Sequence, residues 1–531
     1  MKCVTSVFAA MLWLVMAGCA REKVASETPP VAQAKPLSQP LRILSGSENT
    51  SLKPLLDKFT QETGIPVQLE AKGSVDIMLS LQQPTLPYHA VWPASSIWLD
   101  ISGNKALGER ISIYRSPVVL GIKQSVFTTL GIKDHSATLA DLKGWLEAGA
   151  LSLISSNPTQ SNSGAMGYLG MLHYFVGKDE PFQAEDLDNP KIQTEVQTIF
   201  SKVKRTVGSS SWLKDLYLAA PAYNAMLNYE STLLELNQTL ESQGQEPLQL
   251  VYLEGATAMA DSPLTILKSK TDDRSADVKK LQDFLLTSSS QTALIELGRR
   301  TGLGRVTAAI FKPEWGADTA RILQPFPIPT ADAIRKALAL YQTNLKRPSL
   351  TIYVLDYSGS MHSNGGEDQL DAAMRLLLTP KEASPYLLLT GIKDQTWVVP
   401  FDSAPRALLV QQGAQESDLI ALRNKLLKNV ADGGTDFYAA MKLALSKINE
   451  VDNLESYQVS VILMTDGESK GDGEGFVRWY ANQHFNVPIY PIMFGSADPS
   501  QLNALAKMSR GRVFDGRKNL IQALRDARSY N

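Results

Sequence analysis

The chain has 531 residues, with 52 Lys and Arg against 54 Asp and Glu and 44% apolar residues. That is room for three or four core-forming units, and the apolar content excludes a disordered chain. A formal charge of −2 excludes a nucleic-acid binder held by a general basic field, and Cys3 and Cys19, the only cysteines, leave the body without disulfide, thiolate metal cluster or cysteine nucleophile.

Met1-Lys2, an apolar run over 7–17 and Gly18-Cys19 read as a secretory signal over 1–18, too short for a comfortable bilayer span. Met16-Ala17-Gly18-Cys19 resembles a bacterial lipobox, which implies that Cys19 is acylated and becomes the new N-terminus. Ala20, rather than Asp, after the cysteine implies the outer membrane in a Gram-negative cell. Residues 19–40 hold the lipidated Cys and REKVASETPPVAQAKPLSQP, a flexible tether reaching about 25 Å. No later stretch reaches the roughly 18 uninterrupted apolar residues of a membrane span. The expectation is an envelope protein on the periplasmic side, held to the membrane through the lipid alone.

From Leu41 onward short apolar strands alternate with helical stretches, the pattern of α/β architecture. Strands are expected over 41–44, 65–70, 89–93, 117–121, 151–155 and 248–253. Helices are expected over 52–63, 76–82, 277–297 and 331–341, the first stopped by Gly64. Several strands lead into Ser or Gly and then a helix start: Ser45-Gly46-Ser47, Ser95-Ser96, and Ser161-Asn162-Ser163-Gly164. Such residues cap helices, and the N–H groups of a first turn attract anions. Three such junctions suggest a ligand cleft, because α/β ligands bind outside the carboxyl ends of strands.

The segments LRILSGSENTSL, HAVWPASSIWLD, SPVVLGIK, SNPTQSNSGAMGYLGMLHYFVG and VYLEGATAMADSPLTIL resemble a bacterial extracellular solute-binding protein of the two-lobed type II periplasmic class. The likeness spans 41–345. It implies a cleft between two lobes, with Ser45, Ser47, Ser95, Ser96, Asn162, Ser163, Tyr223 and Glu254 at its mouth. Uncharged hydroxyls suit an oxyanion, whereas Glu230 and Glu254, on loops near the same cleft, would repel one. The charge of the solute stays open.

Pro348 marks a boundary, and the apolar run over 350–355 reads as a strand buried on both faces. Further strands are expected over 386–392, 396–401, 459–464, 487–494 and 512–514. Helices are expected over 371–378, 417–429, 437–448, 475–483, 501–508 and 520–527. Interleaved in this way they describe a doubly wound, Rossmann-like parallel sheet, with 396–401 as an antiparallel edge.

Three loops at strand ends carry small oxygen donors: Asp356-Tyr357-Ser358-Gly359-Ser360, Gly433-Gly434-Thr435-Asp436 and Thr465-Asp466-Gly467-Glu468. Carboxylate and hydroxyl oxygens suit a small hard dication. The set resembles the von Willebrand factor A domain over 350–531 and matches all five positions of its metal-ion-dependent adhesion site. The resemblance implies a Mg²⁺ site, or one for Mn²⁺ or Ca²⁺, formed by Asp356, Ser358, Ser360, Thr435 and Asp466. It also implies a protein partner whose carboxylate completes the coordination. Asp432, Asp436, Glu468, Asp472 and Glu474 crowd the same rim, offset mainly by Lys470. His362, a poor match for Mg²⁺, reads as a rim residue.

Phosphate-loop, zinc-hydrolase and nucleophile-elbow motifs are missing, so an enzyme is not expected. The sequence reads as an envelope lipoprotein that binds a protein partner through its metal site and a small solute in its cleft. Two alternatives stand beside that reading: a solute receptor of a transport system, with the A domain as docking module, and a structural envelope assembly factor.

Overall fold

The apolar runs assemble into three sheets in the computed structural model, which describes residues 38–531 except 221, 303–308, 496, 498, 518, 531 and the side chains of 363 and 364. The signal segment, Cys19 and most of the tether lie outside the described residues.

The first sheet contains β1 (Leu41–Gly46), β2 (Val67–Lys72), β3 (Ala90–Trp92), β4 (Leu107–Ser112) and, later in the chain, β12 (Pro263–Leu267), in the order β2-β1-β3-β12-β4. The second contains β5 (Ser116–Lys123), β6 (Ser136–Ala137), β7 (Leu153–Ser156), β8 (Arg205–Val207), β9 (Ala225–Tyr229) and β10 (Leu248–Leu253). Their order is β6-β10-β5-β9-β7-β8, with β11 (Ala258–Ala260) beside β5. The chain crosses between the sheets from β4 to β5 and returns from β11 to β12, which makes two lobes. Gly64, at φ 75°, ends the helix Lys53–Thr63 as its sequence position suggests. The helix expected over 277–297 is two helices, Ser275–Leu285 and Ser288–Glu296. The Thr287 hydroxyl accepts the Ser290 N–H and caps the second, so the TSSS run restarts the helix instead of continuing it.

The third sheet holds β13 (Ser349–Asp356), β14 (Gln395–Phe401), β15 (Leu409–Gln412), β16 (Gln458–Thr465), β17 (Ile489–Met493) and β18 (Phe514–Asp515), in the order β15-β14-β13-β16-β17-β18. Every pairing is parallel except β14 with β15. Two sequence expectations fail here. The strand expected over 386–392 is a helical turn, Ser384–Tyr386, followed by loop. Its Gly391 N–H is taken by the Asp394 carboxylate at 2.7 Å, so a side chain supplies the acceptor that a ladder would. The stretch expected as an antiparallel edge is β14, which lies parallel to β13 and is buried throughout. The edge strand is the half-exposed β15.

The C-terminal unit is seated on the second lobe. Val207, Leu213 and Tyr217 of that lobe share one apolar cluster with Tyr490, Phe514 and Tyr530. Trp212 stacks on Tyr530 with ring centroids 5.9 Å apart, and the Arg512 guanidinium lies 4.2 Å above Trp212. The short linker is pinned as well: Asp394 accepts from Lys346 Nζ and from the Ser349 N–H, both at 2.7 Å.

Candidate functional site

Asp356 is the last residue of β13, at the carboxyl edge of the third sheet, where the chain must turn into the helix Gly366–Leu377. Its Oδ1 accepts the Ser358 N–H at 2.8 Å, which closes that turn, and its Oδ2 accepts the Thr465 hydroxyl at 2.5 Å. Ser358 Oγ lies 3.0 Å from Ser360 Oγ, and Ser360 Oγ donates to Asp466 Oδ1 at 2.8 Å. A Cβ on Gly467 would lie 3.5 Å from Thr435 Oγ1 and 3.6 Å from Ser360 Oγ, so the Thr435 hydroxyl joins the same rim. The three loops also bond to one another: Gly359 N–H to Gly433 O at 3.0 Å, and Lys470 N–H to Thr435 O at 3.0 Å. Gly433 sits at φ 75°, a conformation that lets its loop turn beside Ser403.

Burial, with a smaller push from the Asp466 carboxylate, raises the Asp356 carboxyl above the ordinary aspartate range. Burial raises Asp466 as well. Two buried acids ringed by hydroxyls form a donor set that gains from a dication, and the oxygen chemistry fits Mg²⁺. The described residues contain no group of three or more His, Cys, Asp and Glu placed to hold a metal ion. His362 Nδ1 lies 3.0 Å from Glu367 Oε2. Of the rim acids, Asp436 and Asp472 cap the helices Phe437–Leu445 and Gly473–Asn482.

The residues expected at the cleft do not stay together. Ser45, Ser47, Asn162 and Ser163 meet in a seam where the lobes touch, each at most 2% exposed. The seam is bonded across: Trp98 Nε1 donates to Asn162 Oδ1 at 2.6 Å, and the Ser211 N–H to Ser47 Oγ at 3.3 Å. Ser163 Oγ lies 2.7 Å from Ser156 Oγ and 2.8 Å from Ser210 Oγ, so this hydroxyl group answers itself. A Cβ on Gly73 would fall 2.2 Å from the Gln160 carbonyl, which shows how closely the backbones approach. Ser95 and Ser96 instead line an open pocket of about 600 Å³ with Met166, Met259 and Phe326. Tyr223 lines a different cavity, beside Arg205 and Tyr457. Glu254 is exposed in the turn after β10. Glu230 begins the helix Glu230–Ser242 rather than lying on a loop, and Arg300 grips it through Nε and Nη2 at 2.6 and 2.8 Å.

Glu48 is a seam residue that sequence reasoning missed. Burial, opposed by its own backbone N–H and by Arg299, pushes its carboxyl up to about 7, and its Oε1 has no hydrogen-bond partner among the described residues. A group with a raised folded-state pKa contributes stability that is complete below its unfolded value, here about 4.5, and lost as pH rises through about 7. Glu48→Gln is therefore expected to flatten the fall in stability between these values, measured by chemical denaturation across the range. An unchanged slope would remove Glu48 as its source.

Arg525, on the C-terminal helix Leu520–Ser529, was equally invisible to sequence reasoning. It is 1% exposed and reaches both lobes. Its Nη2 lies 2.5 Å from Asp76 Oδ1 of the first lobe and donates to the Thr159 carbonyl of the second at 3.0 Å. Gln160 Nε2 donates to the Arg525 carbonyl, and Thr206 Oγ1 donates to the Ser529 carbonyl at 2.8 Å. Burial and the neighbouring Asp76 push Asp526 up to about 7.

A family model for bacterial extracellular solute-binding proteins matches residues 41–300, and one for the von Willebrand factor type A domain matches residues 352–526. The chain thus joins a solute-binding-protein-like region to a C-terminal von Willebrand factor type A domain. No curated protein matches its sequence. Among solved structures, the periplasmic binding protein AfuA of Actinobacillus pleuropneumoniae, with fructose-6-phosphate bound, is 15% identical, with 56% of this chain and 94% of that one covered and a TM-score of 0.39. The sulfate-binding protein SubI of Mycobacterium tuberculosis is 17% identical, with 55% and 93% covered and a TM-score of 0.38. The periplasmic binding protein P5PA is 14% identical, with 58% and 100% covered and a TM-score of 0.42. No helix among the described residues is long and apolar enough to cross a membrane.

Proposed function

We propose that this is a non-enzymatic envelope lipoprotein, acylated at Cys19, that captures a protein partner through a Mg²⁺ ion held by Asp356, Ser358, Ser360, Thr435 and Asp466. The carrying observation is the hydrogen-bonded chain Ser358–Ser360–Asp466 beside the buried Asp356, four oxygen donors from two separate loops on one rim. When bound, the ion supplies a Lewis-acidic position for a partner's Asp or Glu. The chain's own residues orient that position, and the Ser360–Asp466 bond holds the two loops in register. The acidic rim around Asp432 and Glu468 favours a partner whose carboxylate sits among basic residues. On this reading the first unit, over 41–345, is the base on which the A domain, over 350–531, is presented. Its solute, of undecided charge, binds when the seam opens.

The test is capture from detergent-solubilised envelopes of the source cell, comparing wild type with Asp356→Ala in Mg²⁺ and in EDTA. The expected result is a protein retained only by wild type in Mg²⁺. Capture indifferent to both changes would overturn the metal-site reading.

A further inference from the structure

We infer that a basic groove between the second lobe, the linker and the A domain binds a small multivalent phosphate anion. The groove, about 620 Å³, is lined by Lys202 and Lys204 from the segment before β8, by Lys346 and Arg347 of the linker, and by Lys393 from the turn before β14. Glu455 is the one carboxylate among the described lining residues, and Asp394 lies behind Lys346. Five cations from three chain segments meet here on a protein whose net charge is −2. Such a convergence produces a focused positive potential that average composition would not.

The charges are poorly answered within the protein. Lys346 is paired with Asp394, but Lys202, Lys204 and Lys393 form no ion pair among the described residues. Arg347 donates through Nε to the Ser456 carbonyl at 3.2 Å and through Nη2 to the Glu455 carbonyl, both neutral acceptors. Burial lowers its pKa. A second cavity of about 360 Å³ shares Lys204 and Arg347 and ends on Arg205. Arg205 is 6% exposed; its Nη2 donates to Tyr490 Oη at 2.6 Å and to the Arg510 carbonyl at 2.8 Å, while its Nε has no partner among the described residues. Guanidinium forks together with ammonium groups suit phosphate oxygens, and cations spread across both cavities suit more than one negative charge. The phosphate could belong to a soluble polyphosphate compound or to a phospholipid headgroup, and the two sources are separable by experiment.

The test is calorimetric titration of the full-length Cys19→Ser chain, kept free of acyl groups, with sodium tripolyphosphate and with monomeric dihexanoyl phosphatidic acid. Dihexanoyl phosphatidylcholine is the control lipid. Saturable one-to-one binding is expected, with Kd at least tenfold weaker in Lys202→Glu/Lys393→Glu. It should be unchanged in Lys53→Glu/Lys58→Glu, an equal charge change at exposed positions of the helix Lys53–Thr63. Tighter binding of the phosphatidic acid assigns the site to a lipid headgroup, and tighter binding of tripolyphosphate assigns it to a soluble anion. No saturable binding of either probe, or equal weakening in both double variants, would overturn the proposal. Matching thermal unfolding of the variants and wild type checks that the fold is intact.

Discussion

Arg525→Ala is expected to cost about 3–5 kcal/mol of folding stability, the range for removing one partner of a buried ion pair. Arg525 and Asp76 are 1% and 2% exposed, so solvent cannot replace the lost charge. Asp526, already pushed up to about 7 by burial and by Asp76, is a second acid in the same seat. Without Arg525 the two carboxyl groups must share a site with no cation between them, and protonation becomes their relief. The deficit should therefore shrink as pH falls toward the unfolded-state aspartate range. Asp76→Asn in the Arg525→Ala background should recover part of the loss. Chemical denaturation supplies the energies, and hydrogen exchange locates the damage. The segments around Asp76 and Gln160, which come from different lobes, should lose protection together. A loss within about 0.5 kcal/mol of zero, the range of ordinary surface substitutions, would mean that this seat does not hold the units together.

How much of this was legible in the sequence follows from the range over which each feature is encoded. Asp356, Ser358, Ser360 and Asp466 lie in short runs at or just after the apolar strands β13 and β16, so a few adjacent letters bring them to notice. The same holds for β13, β16 and β17, whose continuous apolar runs mark strands buried on both faces. The loop of Thr435, expected at a strand end, instead lies between the helices Glu416–Leu426 and Phe437–Leu445, and the resemblance alone joined it to the other donors. The strand expected over 386–392 fails because apolar content signals burial, and Leu388 is buried without belonging to any ladder. The exchange between β14 and β15 has a similar origin. Strand order depends on pairing, and nothing in the run over 396–401 states which neighbours it will have. Cleft residues were harder still, since Ser45 and Asn162 share an environment only after two lobes close. The Arg525–Asp76 pair, 449 residues apart, and the grip of Arg300 on Glu230 have no local signature at all. Long-range ion pairs are chosen by the finished packing.

Asp356→Asn is expected to change sign with the solution. In saturating Mg²⁺ wild type gains binding free energy that the unfolded chain lacks, about 2.7 kcal/mol at a hundredfold excess over Kd. The variant, with Mg²⁺ affinity at least a hundredfold weaker, should forgo nearly all of it. In EDTA the same substitution removes one of two buried acids whose burial opposes ionisation, with Asp466 adding to the push on Asp356. The amide keeps an oxygen for the Ser358 N–H, and its NH₂ can donate to the Thr465 hydroxyl, so little bonding is lost. The variant should then be as stable as wild type or more so. Thermal unfolding of both chains with and without Mg²⁺ gives a two-by-two comparison in which the ranking reverses. A variant that is less stable by the same amount in both solutions would make Asp356 a structural residue of its turn. The hydroxyls of Ser358, Ser360 and Thr435 would then need another explanation for sharing that rim. A reversal would tie the cost of burying two acids to the binding of a cation, which is the reason for such an arrangement to persist at the end of a strand.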